Sequence, residues 1–71
     1  MIDLGSFANA ENARRLASAM EGLGTVSVDD VTSGSRTLKR VRLSNLADGM
    51  TPEMAVEAAA RAGATGAVVR R

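Results

Sequence analysis

The run Thr25-Val26-Ser27-Val28-Asp29-Asp30-Val31, the stretch Thr32-Ser33-Gly34-Ser35 and the run Leu38-Lys39-Arg40-Val41-Arg42-Leu43-Ser44-Asn45-Leu46 decide the fold. The first is β-branched and alternating, which places Val26 and Val28 on one face of a strand. The last alternates again. Val41 and Leu43 turn one way and Leu38, Arg40 and Arg42 the other, because successive side chains of a strand point to opposite faces. The small polar residues between the runs read as a flexible turn, so the two strands form a hairpin. The loop reads as longer than the two-residue type, which leaves the register unfixed by turn chemistry.

On the N-terminal side of the hairpin a helix is expected from Ala10 to Leu23. Ala13, Leu16, Ala17, Met20 and Leu23 recur at three- and four-residue spacing, while Glu11, Arg14, Arg15, Ser18 and Glu21 fall largely opposite. Asn9 is placed to cap it, and Gly22 and Gly24 to stop it. Before it, Ile2-Asp3-Leu4-Gly5-Ser6-Phe7 starts as an apolar and polar alternation and reads as a short strand leading to a turn. On the C-terminal side Ala47-Asp48-Gly49-Met50 is a loop. Thr51-Pro52-Glu53 then opens a second helix, with a hydroxyl cap, a proline at the first helical position and an acid near the positive end of the dipole. That helix runs to Ala62, carries Ala55, Val56 and Ala59 on its apolar face, and is ended by Gly63. Gly66 to Arg70 is a last short strand. Neither half can bury its helix alone. The expected fold class is therefore α+β with the order βαββαβ: a four-stranded antiparallel sheet with two helices packed on one face, as in ferredoxin-like and RNP-like domains.

With 71 residues the chain is one small domain. Its apolar fraction is 45%, but thirteen of those residues are alanine and Phe7 is the only aromatic, so the core has to come from Val, Leu, Ile, Met and closely packed alanine helices. No cysteine is present to add a disulfide. Histidine is absent too, which excludes serine–histidine and cysteine–histidine catalysis, and a zinc site of the usual kind, within this chain. No enzyme activity, cofactor or metal is expected. Nine basic residues against eight acidic ones give a net charge of +1, short of the excess of a dedicated nucleic-acid-binding or polybasic membrane-binding domain. No apolar stretch approaches the ~20 residues that span a bilayer. The abrupt strand at Met1 suggests a domain cut from a longer protein, and a monomer is expected.

With both helices on one side, Ile2, Leu4, Val41, Leu43 and Ala67 or Val69 point inward, and the other sheet face meets solvent. That open face carries Asp3, Leu38, Arg40, Arg42, Val68 and, if the last strand extends so far, Arg70. Guanidinium groups supply fixed donors toward hydroxyls or carboxylates, and Leu38 and Val68 supply apolar contact, as on a shallow binding platform. Ordinary solvated strand residues give the same pattern. Gly5-Ser6 reads either as a cradle of backbone N–H groups for a ligand at the helix start or as a plain strand-to-helix turn. Asn12 reads either as a hydrogen bond across that turn to the sheet or as a ligand contact, and the structural role is the favoured one. Arg36, Lys39, Arg40 and Arg42 cluster, but only alternate ones share a face and no aromatic interleaves with them, so no nucleic acid is expected as a partner. Asp29-Asp30 and Glu53 with Glu57 read as solvated carboxylates, lacking a base or metal-ligand companions.

Ile2-Asp3-Leu4-Gly5-Ser6-Phe7, Glu11-Asn12-Ala13 and Arg40-Val41-Arg42-Leu43 together resemble the SPOR domain, the sporulation-related repeat family. Its members carry apolar-Gln-apolar-Gly-Ser/Ala-Phe, then Glu-Asn-Ala, a helix ending near Gly, and later aromatic-x-Arg-Val-x-apolar-Gly-Pro-Phe. The likeness covers essentially the whole chain. It implies a non-catalytic module that binds peptidoglycan, prefers glycan strands stripped of stem peptides, and places a parent protein of the periplasm or cell envelope at the bacterial division septum. It also implies that the glycan lies on the open sheet face, helped by the first strand–helix turn and the first helix. Carried over by position, the Gln slot is Asp3, the Ser slot Ser6, the aromatic slot Leu38, the Arg slot Arg40 and the aliphatic slot of the last strand Val68. With Arg42 beside them, these are the expected glycan-binding residues.

The departures have chemical meaning. Asp3 only accepts where an amide both donates and accepts, and it repels a lactyl carboxylate unless Arg40 or Arg42 neutralises it. Leu38 lacks the flat face on which a sugar ring stacks. Ser44-Asn45-Leu46 stands where Gly-Pro-Phe is found. Two other functions fit the same element order. One is a protein-docking or regulatory α/β-sandwich domain using the open sheet face. The other is an RNA-binding domain, which needs strand aromatics that this chain lacks.

Overall fold

A computed structural model describes residues 1–70. The elements follow as β1 (Ile2–Phe7), α1 (Ala10–Met20), a 3-10 turn (Glu21–Leu23), β2 (Thr25–Ser33), β3 (Arg36–Ser44), α2 (Pro52–Arg61) and β4 (Val68–Val69). The four strands form one antiparallel sheet in the order β2-β3-β1-β4. This is the α+β, βαββαβ arrangement that the sequence implies. On the covered face α1 packs over all three long strands, and α2 over β1 and β4.

Alternation on the strands and three- to four-residue spacing on the helices build the core. Ile2, Leu4, Val41 and Leu43 meet Ala13, Leu16 and Met20 of α1 and Ala55 and Ala59 of α2, and all are buried. Ala64, just past α2, joins them. Alanine at the helix contact positions allows close approach, which substitutes for bulk in a chain with a single aromatic.

Both helix starts are capped as their sequences dictate. Asn9 Oδ1 accepts from the backbone N–H groups of Glu11 at 2.8 Å and Asn12 at 3.4 Å, two of the four donors that a helix start leaves unpaired. Asn9→Ala is expected to lower the unfolding free energy by about 1 kcal/mol. Urea denaturation would show this as a lower midpoint at unchanged slope, and an unchanged midpoint would deny the cap a stabilising role. Thr51 Oγ1 accepts from Met54 N–H at 3.2 Å ahead of Pro52 in the first turn of α2. The far end of α2 closes through two backbone bonds, Gly63 N–H to Ala60 O at 3.1 Å and Ala64 N–H to Ala59 O at 2.8 Å, with Gly63 at φ 104°. This left-handed closure turns Ala64 back into the core.

The structure departs from the expected boundaries in four places. α1 ends at Met20 and the chain tightens into a 3-10 turn through Gly22, a poor helix former, where the pattern had extended the helix to Leu23. β2 and β3 pair without interruption from Thr25 with Ser44 to Ser33 with Arg36, so the loop is two residues, Gly34-Ser35. Gly34 takes φ 64°, the left-handed conformation that such tight hairpins need at their first position. β4 pairs only at Val68 and Val69. Beyond it Arg70 N–H donates to Met1 O at 2.8 Å, and the Met1 amino group to Arg70 O at 3.2 Å.

The fourth departure is a bulge in β1. Asp3 faces Arg42, yet Gly5 faces Val41, so Leu4 is an extra residue in the strand. Gly5 lies at φ 129°, which side-chain-bearing residues rarely adopt, and the Phe7 ring lies over it, with Cζ 3.6 Å from where a Cβ would sit. Alternation alone turns Ile2 and Leu4 both inward, and the extra residue reverses the phase after them, so that Ser6 joins Asp3 on the outward side. The β2–β3 ribbon also outruns the helices, giving extents of 40 × 23 × 18 Å. Its inward residues Asp30, Thr32 and Thr37 are exposed, and Val28 is 46% exposed.

Candidate binding face

Strand register settles which side chains share the uncovered face. Val68, Asp3, Arg42 and Ser27 are neighbours across β4, β1, β3 and β2 in one row. Ser6, Arg40 and Asp29 form the next, and Leu38 with Val31 the third. Directly opposed side chains in such rows start only ~5 Å apart at Cβ. Asp3, Ser6, Leu38, Arg40, Arg42 and Val68 thus lie on one surface. Val68 and Ser6 are exposed, while Asp3, Leu38, Arg40 and Arg42 are half-buried.

Charge is unevenly compensated across these rows. The Arg42 guanidinium pairs with the Asp29 carboxylate, and another of its nitrogens lies 3.9 Å from Met1 Sδ. Its Nε is buried without a hydrogen-bond partner. Asp3 Oδ1 accepts from Gly5 N–H at 3.2 Å, so this carboxylate ties the bulge. On the opposite face Lys39 pairs with Asp30. Arg40 has no ion pair or side-chain hydrogen bond among the described residues. Exposed pairs of this kind contribute only ~0–1 kcal/mol to stability. Their effect here is that, of the two half-buried arginines on the open face, Arg42 is paired and Arg40 is not, among the described residues.

Three details correct the sequence reading. Asp29 and Asp30 are solvent-accessible as expected but are also ion-paired, Asp30 to Lys39 directly across the ladder and Asp29 diagonally to Arg42. The signal was available, since the alternation that turns Val26 and Val28 inward turns Ser27, Asp29 and Val31 onto the open face. Gly5 N–H is occupied by Asp3, which removes one donor from the expected backbone cradle. Asn12 makes no side-chain bond to the sheet among the described residues. One helical step from buried Ala13, it is exposed and borders a cleft of about 300 Å³ with Phe7, Arg15, Leu16 and Gly63.

A sheet with one face covered by helices and the other bearing donors and small apolar ledges makes this an α+β domain with one face left open. The chain belongs to the SPOR domain family, whose family model matches residues 1–70. No curated protein and no solved structure matches it. SPOR is a family of binding modules, known for binding peptidoglycan and found in envelope proteins targeted to the division septum. Among the described residues no helix is long and apolar enough to cross a membrane.

Proposed function

We propose that this chain is a non-catalytic module that lays denuded septal glycan strands across its open sheet face and so carries its parent protein to the division site. The supporting observation is the convergence of Asp3, Ser6, Leu38, Arg40, Arg42 and Val68 on the one face that the helices leave uncovered. Ser6 and Arg40 supply donors to sugar hydroxyls and acetamido carbonyls, and Leu38 with Val31 and Val68 supplies apolar ledges on either side. Affinity is modest, because Leu38 offers no stacking ring, Asp3 is engaged at the bulge, and much of the polar contact replaces water. The module acts as a monomer without a cofactor in the periplasm or envelope, and any chemistry belongs to the parent. The style of Gly24-Thr25-Val26 with Val28, and the short second helix, resemble the C-terminal SPOR domain of rare lipoprotein A, a lytic-transglycosylase-type envelope protein. We propose a parent of that class.

Retention on isolated sacculi, with and without amidase treatment, tests this. Amidase-treated sacculi should retain the domain better. Arg40→Ala should weaken retention about tenfold, as expected for loss of a hydrogen bond to a charged group, and Ser6→Ala by less, neither lowering the melting midpoint. Retention by neither preparation would refute the glycan role. A protein cross-linked to the open face would put the docking function in its place.

A further inference from the structure

We propose that the free edge of β2 takes up an extended peptide segment carrying basic residues, which pairs with it as a further antiparallel strand and seats one apolar side chain in the cleft between Val28 and α1. β2 is an outer strand of the sheet, with β3 as its one neighbour, and it offers nine residues where the other outer strand, β4, has two. No backbone hydrogen bond reaches Thr25–Ser33 from the side away from β3 among the described residues. Ladder parity gives the groups left over. A two-residue hairpin loop is flanked by residues that exchange both backbone bonds, here Ser33 and Arg36, and exchanging and non-exchanging pairs alternate from there. Val26, Val28, Asp30 and Thr32 therefore turn their N–H and C=O groups outward, as a template for another strand.

Two further observations fix what suits this edge. The same four residues turn their side chains to the helix side, where Ala10, Ala13 and Arg14 of α1, Val28 and Asp30 of β2 and Lys39 of β3 line a cleft of about 300 Å³. Ala13 is buried there while Val28 is exposed, so an inward side chain opposite Val28 on an added strand enters the cleft and covers apolar surface. Charge selects the rest. The only charged side chains on β2 are Asp29 and Asp30, one on each face. Each meets its cation through one carboxylate oxygen, which leaves lone pairs for a second donor, and the Asp30 side chain is 64% exposed. Antiparallel pairing of two β2 strands over their full length centres on Asp29 and sets aspartates directly opposite each other, which is unfavourable. A basic segment meets no such penalty. The complementary segment has, in chain order, a basic residue across from Asp30, a second across from Asp29 and an apolar residue across from Val28. Bound in this way it adds a row beyond Ser27, Asp29 and Val31 and leaves Ser6 and Arg40 uncovered.

The terminally blocked peptide Thr-Val-Lys-Lys-Leu-Thr-Val, titrated into the isotope-labelled chain and followed through the backbone amide resonances, tests the proposal. Saturable shifts should centre on Val26, Val28, Asp30 and Thr32, and those four amides should become slow to exchange with solvent. The same peptide with both lysines changed to glutamate should bind about tenfold more weakly. Asp30→Lys should abolish or reverse that preference in a chain whose melting curve shows it folded, a change that a merely structural aspartate would not give. Absence of a saturable shift with the lysine peptide at millimolar concentration, or shifts confined to Asp3, Ser6, Leu38 and Arg40, would overturn the proposal. Equal binding of the two peptides by wild type would overturn the basic character assigned to the partner. Slow exchange of the same four amides in the concentrated chain without peptide would put a second copy on the edge in its place.

Discussion

Leu43→Ala is expected to lose about 2–5 kcal/mol of unfolding free energy, a large part of what a domain of this size holds. Leu43 is 0% exposed on β3, between Ile2 of β1 and Val26 of β2, so it lies where three strands and a helix meet. Its removal leaves a hole lined by residues fixed on separate elements, and no aromatic stands nearby to swing into it. Leu38→Ala, on the same strand but on the open face, should cost well under half as much. Urea denaturation of the pair decides the matter. A Leu43→Ala midpoint close to that of Leu38→Ala would mean that the core is looser than the packing implies.

Gly24→Ala should cost about 1–3 kcal/mol, which for so small a domain means a fall in melting temperature of about 4–8 °C for each kcal/mol. Conformation is not the reason, because Gly24 at φ 160° is extended backbone that any residue adopts. Space is the reason. A Cβ there would lie 2.7 Å from Ser44 O, 3.0 Å from Asn45 O and 3.2 Å from Leu46 Cα, all backbone atoms. That segment cannot retreat easily, being tied by Ala47 N–H to Leu23 O at 2.9 Å and turned at Asn45 with φ 48°. Gly22→Ala is the control, since nothing lies within 4 Å of where its methyl group would sit. Equal melting of the two variants would show that the 44–46 segment yields without cost.

The features that the sequence disclosed were those written in local chemistry. Asn9 and Thr51-Pro52 announce helix starts because a cap depends on residues within one turn, and Gly63 announces a stop for the same reason. Val41 and Leu43 declare the buried face because alternation is a property of a single strand. What stayed hidden depends on partners distant in sequence. Thr32 and Ser33 look like loop by composition and become strand only because Thr37 and Arg36 pair with them. The extra residue at Leu4 is invisible until β3 lies alongside. Asp29 gains its role from Arg42, thirteen residues away and on the neighbouring strand. The tight approach at Gly24 is likewise a fact about the end of β3. On the open face, alternation and family resemblance brought the six expected residues together, but the division of charge between Arg40 and Arg42 needed the register.

Met1 and Arg70 exchange both backbone hydrogen bonds at the same end of the β1–β4 pair. A force drawing these two residues apart therefore loads that ladder one rung at a time, in peeling geometry, instead of sharing the load across all rungs as shear does. With Val68 and Val69 its only strand residues, β4 is the first element to lift, and Val68 leaves the rim of the open face while the three longer strands stay paired. Under tension along the chain this edge yields before the body of the domain opens, so the glycan function proposed above predicts that retention weakens under pulling before the domain unfolds.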